Sequence, residues 1–436
     1  MFTLIKEDKN KIIFLNYLFA SIPLSIIIGN LAININVLII CLLGLLTYGS
    51  KIFNWEKKLY KNLIYFFFIY LIFITFFNNF HRFQENSLYI SHLIKSFFYL
   101  RFLIFFLILK TLIKDKKLNL KILIISFSFF SCLISLDIII QIVFEKNLLG
   151  LTISAYRPSG FFGNENIAGG YIQKFILFFI ILILTTLEKK RKNFLLLPDS
   201  IFLFFFIIIF LTGNRMPALI FVITTFVYYL LEKKFKKIFI YFFLICTIIL
   251  ISLQTNYNRL NTQILSFISE TKNILIVSPV IFNLNPESKE YQEISIKSNY
   301  LLHFNTSVQI WKKNKIFGHG LKSFPLNCSY EKNQTCNTHP HNYFLEILLD
   351  TGLIGLILMY SFILFGIKDF LKYYFSFKNK YKTFLLPFFL IIFFEFFPLR
   401  SSGSFFTTTN SVTIFLILPF FLNYEKIIGL LFTKKK

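Results

Sequence analysis

The chain has 436 residues, of which 56% are hydrophobic, 62 are phenylalanine and only 15% are charged. A soluble domain of that balance would expose apolar patches over much of its surface, so the composition points to an integral membrane protein. The net charge of +25 would draw nucleic acid if the basic residues formed one face. They fall instead in short clusters between apolar stretches, which excludes a nucleic-acid partner.

Apolar runs long enough to cross a hydrocarbon core, roughly 17 to 25 residues each, lie near residues 12–29, 31–49, 63–79, 98–114, 120–144 and 167–187. Others follow near 195–212, 216–231, 237–254, 342–367, 383–399 and 409–424. The expectation is an all-α, polytopic membrane bundle of about 12 transmembrane helices with one large periplasmic loop. Residues 1–254 make an N-terminal bundle of about nine spans, 255–341 the loop segment, and 342–436 about three C-terminal spans. Lysines crowd alternate loops, as at Lys57, Lys58 and Lys61 and in "EKKRK" at 188–192, and both termini belong to that set. Because positive loops stay in the cytoplasm, both termini are expected there. The opposite loops carry few cations, among them Arg157, Arg215 and Arg400, so each one asks for an explanation.

Three of the outer stretches could do chemistry. "RPSGFFGNENIAGG" at 157–170 joins Arg157 to four glycines, and "LTGNRMPALI" at 211–220 is a tight turn centred on Arg215. Arginine grips phosphate through a planar fork, and glycine-rich loops let backbone N–H groups approach an anion, so the two together suggest a pyrophosphate site. The alternative is a pair of arginines that snorkel to lipid headgroups. In the long loop, Cys328 and Cys336 sit close enough in sequence to close a disulfide in an oxidising compartment; the alternative is two unpaired thiols. With His339 and His341 beside them they fall short of a zinc site. Finally, "THPHNYFLEILLDTGLIGL" at 338–356 turns from polar to apolar. Pro340 favours a helix start, which puts His341 and Asn342 in the first turn, where a histidine exchanges protons near neutral pH. The alternative is a histidine that only caps the helix. Gly352 and Gly355 lie about three turns deeper, where they let another helix approach closely.

His341-Asn342, then nine residues to Gly352 and two more to Gly355, preceded by "IFGHGLKSF" at 316–324 and by Arg215 in its turn, resembles the O-antigen ligase and O-antigen polymerase superfamily. The ordered motifs run from about 157 to 356. The resemblance implies a glycosyltransferase at the periplasmic face of a bacterial inner membrane. Its donor would be an undecaprenyl pyrophosphate-linked glycan and its acceptor a glycan or glycolipid. A ligase uses lipid A core oligosaccharide as acceptor; a polymerase uses another carrier-linked repeat unit. By the same resemblance Arg215, with Arg157 as companion, grips the donor pyrophosphate and His341 acts at the acceptor hydroxyl, with Asn342 and His339 in support. Attack from the far side of the anomeric carbon makes the transfer inverting. Family members often carry a further arginine in the large loop, and none lies between Arg259 and His341 here. Lys297, His303 and Lys312 are the candidate replacements. The outer loops hold no aspartate pair of the sort that binds a divalent ion, so neither a metal nor another cofactor is expected. A rival from another class is a transporter or flippase for lipid-linked sugar, for which Asp137 and Glu395 are the candidate mid-membrane carboxylates.

Overall fold

The computed structural model describes residues 9–432 apart from 81–86, 154–156, 164, 191–196, most of 234–298, 329–335, 377–379 and 399. Among the described residues every regular element is a helix. In chain order these are α1 (Lys9–Ala20), α2 (Ile22–Ile28), α3 (Asn30–Tyr48), α4 (Leu63–Asn79), α5 (Ser87–Lys114), α6 (Leu120–Phe144), α7 (Ala168–Lys190), α8 (Leu197–Leu211) and α9 (Arg215–Leu231). There follow α10 (Asn299–Lys313), the single turn α11 (Phe324–Asn327), α12 (Tyr343–Ser376), α13 (Leu386–Glu395), α14 (Thr408–Leu422) and α15 (Tyr424–Phe432).

Runs of Leu, Ile and Phe form helices here because a helix satisfies every backbone group within itself, as lipid requires. By length and apolarity, 6 described helices suit a membrane crossing, or up to 8 if each of two bent pairs is one span. The pairs are α1 with α2, bent by 45° beside Pro23, and α14 with α15, bent by 87°. α8 and α9 are apolar but shorter, and most of the span expected at 237–254 lies outside the described residues. The described helices therefore support a multi-pass membrane protein, and six to eight of the expected twelve spans meet this measure among the described residues. The interior is built of phenylalanine, isoleucine and leucine, with Phe370 stacked on Phe389 at 4.7 Å and Phe102, Phe405 and Phe415 meeting between α5 and α14. Large apolar side chains such as Leu31, Leu42, Ile69 and Phe77 face outward, as a lipid-facing surface requires.

The two ends of the bundle differ in chemistry. At one end Lys51 pairs with Asp115, Lys58 with Asp369, and both Lys110 and Lys114 with Glu56. At the other end the beginnings of α3, α7, α9, α12 and α14 converge around a cavity. Part of the long loop docks there. α10 packs Phe304 and Val308 against Leu345, and Ile310 with Phe324 against Leu349, so this segment rests on protein. "ISETKNILIVSP" at 268–279, earlier in the same loop, lies outside the described residues.

Gly352 is where the loop locks in. Its backbone, at φ 62 and ψ −167, is a conformation open essentially to glycine alone, and it interrupts α12. The gap is filled by residues 315–320: His319 N–H donates to Leu349 O at 3.0 Å, Gly320 to Asp350 O at 2.8 Å, and Leu353 N–H to Lys315 O at 3.0 Å. A side chain at Gly352 would stand 2.2 Å from Ile316 O, and one at Gly318 would stand 2.3 Å from Gly352 N. The expected helix-to-helix approach is thus corrected to a loop entering a break. A Cβ at Gly355 would first meet Thr351 of the same helix.

Candidate functional site

Three histidines meet beside the cavity. His341 lies 4.1 Å from His339 and 5.4 Å from His303 between ring centroids. His303 comes from α10, and the other two from the approach to α12. His341 does not fall in the helix: its φ of 60 is left-handed, and Asn342 is the residue that caps α12, its Oδ1 accepting from Leu345 N–H at 2.8 Å. A left-handed residue cannot continue a right-handed helix, so the expected start is displaced to Tyr343. His341 O accepts from Ser402 N–H at 2.7 Å, and Asn342 Nδ2 donates to Pro398 O at 2.6 Å and Arg400 O at 3.0 Å. The histidine-asparagine pair therefore holds the loop that follows α13.

The carboxylates one and two turns into α12 do similar work. Glu346 accepts from Ser404 Oγ and Phe405 N–H, both at 2.5 Å. Asp350 accepts from Lys322 N–H at 2.6 Å and from Ser323 Oγ at 2.7 Å. The start of α12 is thus an anchor for two loops, one carrying Lys322 and the other Arg400.

Burial pushes the His339 imidazole down to about 4, and His341, His303 and Lys322 nearby push the same way. Burial also lowers His341, with His303 adding to it and the Ser402 bond opposing. Both rings are held toward the neutral form that accepts a proton. Asn337 Nδ2 lies 2.9 Å from His341 Nε2, while His339 Nε2 is buried without a hydrogen-bond partner among the described residues.

The cavity measures about 420 Å³. His339 and Tyr343 form part of its wall, with Asn214, Ser401, Ser402 and Asn410 supplying amide and hydroxyl groups and Lys174 and Arg400 supplying charge. Of the residues singled out from sequence, the structure brings His303, His339, His341 and Asn342 together. Lys312 is exposed near the far end of α10, and Lys297 lies outside the described residues. Arg215 opens α9 next to Asn214, one residue from the wall and not on it; the tight turn itself is made by Gly213, at φ 70.

Arg157 is not on the cavity lining either, and its glycine-rich stretch does other work. Gly160 N–H donates to Gln141 Oε1 at 2.9 Å, and a Cβ there would stand 2.9 Å from Asp137 Oδ2. Asp137 accepts from Leu148 N–H at 2.8 Å and Asn147 Nδ2 at 3.3 Å. The stretch is thus seated on α6. That corrects the expected anion cradle at Gly160, and Asp137 anchors the turn at 147–148. Cys328 and Cys336 are disulfide-bonded, with Cα atoms 5.7 Å apart. Lys174, Lys322 and Arg400 are the cations that sequence reasoning did not place at the site. Lys174 was legible as a lone lysine in an apolar span, which by its cost marks function.

Residues 200–360 match a protein family described as O-antigen ligase, which supports the superfamily resemblance read from His341, Gly352, Gly355 and Arg215. The matched region holds the three histidines and ends before Glu395 and Arg400. No curated protein matches the chain.

Proposed function

We propose that the protein transfers a glycan from an undecaprenyl pyrophosphate carrier to a glycan acceptor at the periplasmic face of a bacterial inner membrane, with lipid A core oligosaccharide as the acceptor. The observation that carries this reading is the close, neutral-leaning pair His339 and His341, inside the region matched to the family, beside a cavity that holds amides, hydroxyls and two cations. An acceptor hydroxyl attacks the anomeric carbon from the side opposite the pyrophosphate. The new glycosidic bond forms as the bond to the pyrophosphate oxygen breaks, and the hydroxyl proton passes to His341. The carrier leaves as its pyrophosphate, and the anomeric centre inverts. Arg215, next to the cavity wall, pairs charge on the leaving group, with Arg157 as a more distant companion. Positioning and charge pairing do most of the work in such a displacement, and a general base adds about a hundredfold to ten-thousandfold.

The test is transfer by purified protein in lipid, from carrier-linked glycan to lipid A core. His341→Ala should keep its fold and lose transfer by about two to four orders of magnitude. Arg215→Lys should need more donor, since lysine lacks the fork. Transfer by His341→Ala near the parental rate ends the assignment. Elongation of the carrier-linked glycan in place of core modification would identify the polymerase alternative. Movement of intact lipid-linked sugar without transfer would favour the transporter.

A further inference from the structure

Lys174 on α7 and Arg400 after α13 are 8% and 6% exposed and both line the cavity. Glu395, itself buried, joins them: its Oε1 lies 2.6 Å from Arg400 Nη1 and 3.3 Å from Lys174 Nζ. A single carboxylate thus faces two cations, and the group carries a net positive charge. Arg400 Nη1 also reaches Phe394 O at 3.3 Å, whereas Arg400 Nε and Glu395 Oε2 have no hydrogen-bond partner among the described residues. Glu165, another carboxylate on the lining, is exposed to solvent. An incompletely balanced charge buried at membrane depth is costly, and a guanidinium with an unused donor on a cavity wall is built to receive an oxyanion.

We propose that Lys174 and Arg400 form an anion site that takes a phosphate group of the ligand entering this cavity, with Glu395 holding both cations in place while it is empty. Arg400 supplies Nε–H to one phosphate oxygen and Lys174 supplies a point charge to another. Lys174 lies six residues into α7, roughly 9 Å along the helix axis. That depth suits a phosphate carried on a lipid. The identity of that lipid as a pyrophosphate-linked donor rests on the glycosyl-transfer reading; the geometry requires only the phosphate.

The experiment is binding by purified full-length protein, using an undecaprenyl diphosphate, the matching polyprenyl alcohol, and inorganic pyrophosphate as probes. Arg400→Gln and Lys174→Gln should each weaken the lipid diphosphate by about tenfold or more and leave the alcohol unchanged. Glu395→Gln, which frees both cations, should bind the diphosphate at least as tightly as the parent. If single variants prove unstable, Arg400→Gln combined with Glu395→Gln removes one charge of each sign and should fold while failing to bind. Competition by inorganic pyrophosphate would show that the phosphate alone suffices; its failure to compete, with loss in Arg400→Gln intact, would assign the site to lipid-borne phosphate. Equal diphosphate affinity in the parent and a folded Arg400→Gln protein overturns the site. Loss of binding in Arg400→Gln, together with no glycan transfer by the parent to any acceptor, would leave the anion site standing and remove the transferase reading.

Discussion

Replacing Gly352 with alanine should be among the most damaging single changes in the chain. The backbone conformation there costs a residue with a side chain about 1 to 3 kcal/mol. The new Cβ would also stand 2.2 Å from Ile316 O and 2.6 Å from Gly318 N, both main-chain atoms that cannot rotate away. The docked loop would have to retreat by roughly 1 Å to restore ordinary contact. That retreat strains four backbone hydrogen bonds, from His319, Gly320, Leu353 and Ile354, each contributing about 1 kcal/mol net. A loss of about 3 to 6 kcal/mol follows if strain adds to partial breakage of that set. Thermal unfolding in detergent would read the loss, and hydrogen exchange over 315–324 should show the loop released. Gly429→Ala is the control: its Cβ would meet nothing within 4 Å, so stability should stay within about 1 kcal/mol of the parent. Gly318→Ala attacks the same contact from the other side, so the double variant should lose little more than the worse single one. Unchanged unfolding in Gly352→Ala, or penalties that add in full, would refute the interlock.

Cys336→Ser opens the ring ahead of the histidines and should raise local exchange and reduce transfer by less than His341→Ala does; loop-closure entropy puts the ordering at roughly 2 to 3 kcal/mol. Equal loss in the two variants would give the bridge a role beyond ordering. Stability should also depend on acidity through His339. Its folded form resists protonation down to about pH 4 while the unfolded chain takes a proton near 6.5, so stability is complete above that value and falls as pH drops between the two, by at most about 3 kcal/mol. His339→Gln should flatten that slope, and an unchanged slope would assign it to other groups.

Much of the scaffold was legible because apolar runs in lipid have one answer, the helix. The runs near 63–79 and 120–144 match α4 and α6 closely. What the pattern could not carry was the third dimension at helix ends. Gly352 and Gly355 look alike in sequence, yet one breaks α12 for an incoming loop and the other keeps helical backbone. His303 was named as a replacement cation and proved a neighbour of His341, a meeting across 38 residues that no local spacing encodes. Lys174 and Glu395 were each visible as charges inside apolar spans. Their pairing through Arg400 needed the packing of α7 beside α13.

The grip of His341 and Asn342 on the 398–402 segment also bears on how the protein can be cut and recombined. The part matched to the family ends at residue 360, so a graft of residues 200–360 onto another scaffold would carry the histidines and leave their anchored partner segment behind. Such a chimera would retain the recognisable motif while Asn342 faced a foreign loop with no carbonyls placed for it. Functional exchange between relatives therefore has its natural seam beyond Ser404, and domain-swap libraries should be built with that crossover.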